Sequence, residues 1–380
     1  MSHSISPFPT NGRGRTGSLV ARALRGSWRV NLDALDLTSG EFERIAPLLM
    51  SSGTAGLGWR AAAQDPALYE CAEKAGLRDA ARRLAITDTL RQRSFARIIR
   101  IANDAGVAPL VFKGWSVAPV YAEAWLRPWG DIDILATIDD LDRIRLAFAD
   151  LSEESPQSRN GDVHVVKTGP GDTAASVDLH GALPDLYAAN AATVLGRAQR
   201  IELAEGERLL VPCDEDGLRI VILHFLRHGG WRPLWLCDVA GLVEAARPDF
   251  DWDLCLTSDT TVRDWMLATI DVAHQLLGCR IDHAPQLSPG HAPPWFLKAI
   301  LAEWDAPIAY HERMSAVSRP VRPWVWLREK WPNPIRAAFT QQRPMPSRPP
   351  VFGRASQFLA YELRSSLAAL ASHILGKSRP

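Results

Sequence analysis

Residues 109–137 read PLVFKGWSVAPVYAEAWLRPWGDIDILAT, and this stretch decides the fold. The pattern predicts a strand, a Lys-Gly turn, a short helix, an Arg-Pro loop and a second strand that carries Asp131 and Asp133. Side chains alternate along a strand, so these two carboxylates lie on one face of it. The isoleucines at 132 and 134 then point to the opposite face, into a core. Paired acids beside a glycine turn that opens a helix suit the binding of divalent metal with a triphosphate.

A third acid follows on a predicted hairpin. Residues 163–167 (VHVVK) alternate as a strand, and residues 169–172 (GPGD) form a strong turn signal. The chain returns through ASVDLH, which carries Asp178 and, two residues later on the same face, His180. We expect this acid to join the first two, and we expect His180 either to contact substrate phosphate or to have a structural role.

The rest of the chain is predicted to be mostly helical. Thr38 to Glu41 has the pattern of a capped helix start, and residues 68–105 form a long amphipathic stretch of two helices or one bent helix. We therefore expect an α+β fold, in which a small mixed sheet is flanked by N-terminal and C-terminal helical regions. The expected segments are a disordered lead-in (1–16), an N-terminal helical region (17–106), a core with the sheet (107–212), a C-terminal helical region (213–280) and a Pro/Trp-rich appendage with a terminal helix (281–380).

Composition excludes some partners. The chain has 380 residues, enough for two domains, with 43 basic and 43 acidic side chains and a formal net charge of zero. This balance gives no electrostatic reason to expect generic binding to DNA, RNA or an anionic membrane. The C-terminal tail contains tryptophans and an apolar last helix, so it is a candidate docking segment for a partner protein.

The cysteines and the hydropathy pattern indicate the cytoplasm. The five cysteines are widely spaced and form no C-x-x-C pair, which argues against a disulfide framework or a zinc cluster. The basic residues near the start are followed by no apolar stretch of signal-peptide length, and no run of about 18 apolar residues occurs. We expect a cytoplasmic protein that does not enter a membrane.

The acids and the turn predict a site for two metal ions. Hard cations such as Mg²⁺ take oxygen ligands, and two acids at positions i and i+2 of one strand can bridge a pair of ions. Asp131, Asp133 and Asp178 are therefore the candidate metal ligands and catalytic residues. A solvated strand edge is the plainer explanation of an isolated acid pair. The order of glycine turn, acid pair and later acid favours the metal site.

The turn itself predicts a phosphate site. Gly114 allows the backbone to approach phosphates closely, and the N–H groups near Ser116 begin a helix. Lys113 and Arg127 add positive charge. These four residues are the candidate nucleotide contacts from this stretch.

These motifs resemble the DNA polymerase beta-type nucleotidyltransferase superfamily, whose signature is a glycine turn, Asp-x-Asp and a later Asp. Over residues 40–250 the chain looks more closely like an uncharacterised bacterial nucleotidyltransferase family that is often found beside peptide natural-product genes. The turn departs from the superfamily, because Trp115 stands where Gly or Ser is usual. The motifs that carry the resemblance are FKG (112–114), RP (127–128), DIDIL (131–135), VDLH (177–180), and His224 with Trp231, Leu234 and Asp238.

The resemblance implies a Mg²⁺-dependent transferase that moves a nucleoside monophosphate from a nucleoside triphosphate to an acceptor. ATP is the default donor by abundance, and the acceptor is expected to be a small molecule or a peptide natural product. Two alternatives stay open: a non-catalytic module that binds nucleotide or a partner, and a phosphotransferase that uses the same metal site.

Two histidines lie outside the central stretch. His224 and His228 are four residues apart, on one face of a predicted helix, and no third metal ligand is evident. His224 is expected either to pack or to contact the nucleotide across the cleft. Trp235 has the same two interpretations, core packing or stacking on a nucleobase.

Overall fold

One mixed sheet forms the centre of the fold, and helical segments precede and follow its strands in the sequence. It is seen in a computed structural model, which describes residues 14–68, 71–149, 151–154, 162–166, 175–183, 191–305, 333–340 and 344–349. The predicted terminal helix, the turn at 169–172 and most of the predicted lead-in lie outside these residues.

The sheet has seven strands in the order β3-β4-β5-β2-β1-β7-β6. Strands β2 and β5 are parallel, as are β1 and β7, whereas the other neighbouring pairs are antiparallel. This confirms the α+β class and the mixed sheet. The strands are β1 (Leu110–Phe112), β2 (Asp131–Leu135), β3 (Ser152–Glu154), β4 (Asp162–Val166), β5 (Ala175–His180), β6 (Gln199–Glu202) and β7 (Arg208–Val211).

Helices precede, interrupt and follow the strands. Three short 3₁₀ segments, Pro66–Leu68, Ala118–Val120 and Ala124–Leu126, join them. The α-helices are α1 (Arg15–Leu24), α2 (Ser39–Ser51), α3 (Ala55–Ala63), α4 (Ala72–Asp104), α5 (Gly114–Val117), α6 (Ile138–Phe148), α7 (Ala191–Arg197), α8 (Asp214–Arg227), α9 (Pro233–Glu244), α10 (Trp252–Leu256), α11 (Thr260–Leu277), α12 (Pro294–Glu303) and α13 (Pro334–Phe339).

Local sequence signals set several helix ends. Thr38 and Glu41 form a complete capping box at the start of α2, as predicted. The long amphipathic stretch is a single helix of 33 residues, α4, which begins at Ala72, later than expected. The chain turns through Pro66–Leu68 before it, because proline favours the first residue of a helical turn.

Two cores hold the layers together. One lies between the sheet and helices α4 and α6; it contains Ile132 and Ile134, which are 1% and 0% exposed. The other fills the helical body formed by α1, α2, α8, α9, α11 and α12. The predicted alternation of β2 is thus confirmed, and the opposite face of that strand is left for the carboxylates.

The C-terminal segments dock on the helical body. Trp304 donates its indole N–H to the Gly230 carbonyl (2.9 Å), and Asn333 donates to the Gly229 carbonyl (2.8 Å). Both glycines have positive φ, and they separate α8 from α9. The docked helices therefore support the loop that leads into α9.

Two further observations concern the whole described structure. All five cysteines are buried free thiols. Within the described ranges, no helix has both the length and the apolar character needed to cross a membrane.

Candidate active site

The parallel pairing of β2 with β5 brings the acids together. Asp133 is the register partner of Asp178, and Asp131 lies two residues earlier on the same strand face. The Asp133 side chain is buried, Asp178 is about a quarter exposed, and Asp131 is exposed at the first residue of β2. Residues more than 40 positions apart in sequence thus form one acidic cluster.

Two cationic side chains contact this cluster. Lys113 Nζ lies 2.8 Å from Asp133 Oδ1, because β1 pairs beside β2 and the turn follows β1 directly. His180 Nε2 lies 3.1 Å from Asp133 Oδ1 and 3.3 Å from Asp178 Oδ2. The histidine faces the acids, as the alternation of β5 predicts.

Burial and neighbouring charges together explain the pKa shifts of His180, Asp133 and Asp131. Burial by itself lowers the pKa of His180, but its hydrogen bonds to Asp133 and Asp178 outweigh burial and raise the pKa to about 9. For Asp133 the directions are reversed: burial by itself raises the pKa, but the contacts with His180 and Lys113 outweigh burial and bring the pKa below its usual value. The pKa of Asp131 is raised, first by lost hydration and then by the Asp133 charge; its exposure limits the first effect.

The acidic cluster has the features of a cation site. Ligand atoms of Asp133, Asp178 and His180 all lie within 4.8 Å of one another. Among the described residues, no group donates a hydrogen bond to the buried Oδ1 of Asp178. A buried acceptor without a partner costs about 1–3 kcal/mol, which a bound cation would offset. Asp131 lies outside this compact group, on the same face. Carboxylate oxygens suit a hard divalent ion, so the residues fit one.

The Lys-Gly turn is strained. Lys113 has φ 57° and ψ −157°, a conformation that residues with a side chain rarely adopt, and Gly114 has φ 34°. The Ser116 N–H and hydroxyl both donate to the Lys113 carbonyl, at 2.8 and 2.9 Å. Ser116 therefore closes the turn, and its donors are engaged there instead of pointing freely at a phosphate.

Trp115 packs away from the acids. Its ring stacks on Phe95 of α4 at a centroid distance of 4.5 Å, and its indole N–H donates to Gln92 (2.9 Å). Phe95 belongs to the core on the Ile132 side of the sheet. The bulky side chain is thus accommodated on the opposite face from the carboxylates, which explains how the turn tolerates it.

Arg127 joins the loop before β2 to helix α9. Its Nε and Nη2 donate to Asp238 at 3.1 and 2.7 Å, and Tyr121 donates its hydroxyl proton to the same carboxylate at 2.6 Å. The remaining Nη1 bonds to the Pro128 carbonyl. All these side chains are buried. The geometry gives Arg127 a supporting role beside the site, whereas the sequence suggested a phosphate contact.

The end of α8 and the start of α9 form a wall of aromatic rings with one cation, Arg232, which we call the cationic wall. His224 lies 4.5 Å from His228 and 4.6 Å from Trp235, measured between ring centroids. Burial and then the Lys113 charge lower the pKa of His224, and burial and then the Arg336 charge lower that of His228 to about 4. The charge of Lys113 also acts on His228, so this wall lies close to the Lys-Gly turn.

A family model described as an uncharacterised nucleotidyltransferase matches residues 38–278. The chain belongs to this family. The protein is accordingly a nucleotidyltransferase, and the matched residues include the acidic cluster, the turn and the wall. No curated protein and no solved structure matches the chain.

The cationic wall also contains Arg232, which the sequence analysis does not single out. Arg232 lies half-buried before Pro233, with its guanidinium 5.7 Å from the Trp235 ring centroid. The only available sequence signal was an arginine beside two glycines and a proline, which is typical of a loop. Its surroundings come from three separate parts of the chain, the loop at Ser52, the segment 121–131 and α9, and only folding brings these together.

Proposed function

We propose that this enzyme transfers a nucleoside monophosphate from a nucleoside triphosphate, with ATP as the default donor, to a small-molecule or peptide natural-product acceptor. Asp131, Asp133 and Asp178 would hold two Mg²⁺ ions. The observation that carries the proposal is the unpartnered, buried Oδ1 of Asp178, in register with Asp133 on a parallel strand pair.

Each residue of the cluster has a role in this proposal. Bound Mg²⁺ would activate the attacking oxygen and stabilise the pyrophosphate leaving group. The acceptor oxygen attacks the α-phosphorus in line, the bond to pyrophosphate breaks, and Asp178 takes the acceptor proton. Lys113 and His180, which contact Asp133, would also direct their charge toward the phosphates. Gly114 keeps the backbone of the turn open to the nucleotide, and His224 faces it from the wall.

The direct test uses ATP labelled at either the α or the γ phosphate, with MgCl₂ and candidate acceptors. Nucleotidyl transfer puts the α label on the acceptor and releases labelled pyrophosphate from γ-labelled ATP. The double variant Asp131→Asn/Asp133→Asn should lose both products. Release of ADP with transfer of the γ label would instead assign phosphoryl transfer to the same site.

A binding measurement tests the metal site without an acceptor. In calorimetric titrations, the affinity for ATP should depend strongly on Mg²⁺ in the wild type and only weakly in the double variant. ATP affinity that changes neither on removal of Mg²⁺ nor on loss of both acids would contradict the metal site. The cytoplasmic location and a protein partner for the C-terminal tail stay predictions.

A further inference from the structure

Arg232 is a half-buried cation held between two parts of the chain. Its Nε donates to the Ser52 carbonyl at 3.2 Å, in the loop between α2 and α3, and its guanidinium lies over Trp235 of α9. An added Cβ at Gly53 would lie 2.5 Å from its Nη2, so this glycine lets the guanidinium approach the loop. The position of Arg232 is therefore well defined.

No carboxylate within the described part of the chain lies at ion-pair distance from Arg232, and the Ser52 carbonyl accepts its single hydrogen bond there. An arginine has five N–H donors, and burying its charge without a counter-ion is costly. Several other arginines with little exposure have more partners: carboxylates in the pairs Arg29–Glu244, Arg127–Asp238 and Arg197–Asp216, and three backbone carbonyls at Arg60.

The electrostatic surroundings connect Arg232 with the active site. Burial and the Arg127 charge lower the pKa of Arg232, and the charges of Asp238 and Asp131 act in the opposite direction. Arg232 thus lies within electrostatic range of the acid at the edge of the cluster. The same wall carries His228, whose pKa is lowered by burial and by the charges of Arg336 and Lys113. The His228 ring lies 5.2 Å from the Trp235 ring, measured between centroids, so His228 and Arg232 both contact the same tryptophan.

We propose that Arg232 binds the phosphate chain of the nucleotide, with Trp235 as the platform that orients its guanidinium and His228 as a neighbouring hydrogen-bonding group. The planar fork of arginine matches phosphate oxygens in a bidentate manner. A chain of phosphates carries several negative charges, so it matches Arg232 together with the nearby charge of Lys113 better than a single carboxylate does. This inference rests on the proposed nucleotidyl transfer and assigns a residue outside the acids and the turn.

The test compares Arg232→Met with the wild-type full-length chain in the binding of ATP and of tripolyphosphate, by calorimetry and by ligand-induced thermal shift. Arg143→Met is the matched control, because Arg143 is an exposed arginine on α6. We expect at least tenfold weaker binding of both ligands by Arg232→Met and unchanged binding by the control. The unliganded Arg232→Met protein should melt at the same temperature or higher, because the substitution removes a cation that lacks a counter-ion.

Each other outcome is decisive. Unchanged ATP and tripolyphosphate affinity in Arg232→Met, with normal affinity in the wild type, would overturn this inference and leave the transferase intact. A clear fall in the unliganded melting temperature would assign Arg232 a structural role instead. Inorganic phosphate that binds as tightly as tripolyphosphate would point to a single phosphate, such as one on the acceptor, and overturn the phosphate chain. If the wild type does not bind ATP in the presence of Mg²⁺, the proposed nucleotidyl transfer is contradicted as well.

Discussion

The acidic cluster on β2 and β5 and the cationic wall on α8 and α9 are the two sides of the candidate active site, and they are built differently. The cluster depends on strand register: Asp133 pairs with Asp178, and backbone hydrogen bonds set their separation. The wall depends on the packing of α8 against α9 and on the contact of Arg232 with the distant loop at Ser52. Chemistry that needs fixed ligand distances thus lies on the sheet, whereas charge that needs only proximity lies on the helices.

The largest expected effect comes from removing one charge from the cluster. Asp131→Asn should reduce transfer by roughly 10³-fold or more, since a metal site contributes several kcal/mol of transition-state stabilisation and about 1.4 kcal/mol is a factor of ten. Because Asp131 is exposed, the free energy of unfolding should hardly change. Initial rates with labelled ATP and a denaturation curve measure the two quantities.

Asp139→Asn, an exposed acid on α6, is the control for that variant. Equal transfer rates in the Asp131 and Asp139 variants would show that Asp131 does not act in the reaction. The assignment of the chemistry to the sheet side of the site would then be wrong.

Breaking the link between the two sides should cost the most stability. Asp238→Ala leaves the buried Arg127 charge unpaired, and loss of one partner of such a pair costs about 3–5 kcal/mol. Urea denaturation measures the free energy of unfolding. The double variant Arg127→Met/Asp238→Leu should recover most of the lost free energy of unfolding, because an apolar pair leaves no buried charge. A double variant as unstable as the single one would show that packing rather than charge dominates there.

Trp115→Ala tests whether the residue after the glycine belongs to the sheet core or to the site. Because the ring stacks on Phe95 and is only partly buried, we expect a loss of about 2–3 kcal/mol in the free energy of unfolding. The KM for ATP should stay within about twofold after correction for the folded fraction. Trp115→Phe should recover part of the stability. A large rise in KM with normal stability would place Trp115 at the nucleotide.

The smallest effect concerns the pH dependence of stability on the cationic side. Burial, followed by the Arg336 charge, lowers the pKa of His228 to about 4 in the folded protein, below the ordinary value of 6.5. As pH falls from 6.5 towards 4, the unfolded chain takes up a proton that the folded protein does not, so stability falls. His228→Gln should remove this part of the pH dependence. Although neighbouring atoms surround part of the His228 ring, much of the residue stays accessible to solvent, and the resulting screening reduces the effect to about 1 kcal/mol or less.

Denaturation curves of the wild type and His228→Gln at pH 7 and pH 5 measure that difference. Identical pH dependence in the two proteins would mean that the positive charges around His228 are weaker than the structure indicates, and the cationic wall would need another explanation.

Local patterns predicted much of the fold. The alternation of β2, the hairpin of β4 with β5 and the capping box of α2 each depend on residues close in sequence, and each is found. The structure also gives Arg127 and Ser116 partners within the protein, which local patterns do not reveal, and their nucleotide contacts stay predictions. Arg127 bonds to Asp238, and the donors of Ser116 bond to the Lys113 carbonyl.

By itself, the sequence determined which side chains share a strand face and where a tight turn begins, because backbone geometry repeats over two or three residues. It therefore predicted that Asp131 and Asp133 lie on one strand face, as they do. Only the tertiary structure decided that Trp115 packs on α4, that Arg127 is neutralised by Asp238, and that Arg232 lacks a carboxylate partner among the described residues. These facts depend on which distant segment supplies the counter-charge or the packing surface, and no local period encodes that choice.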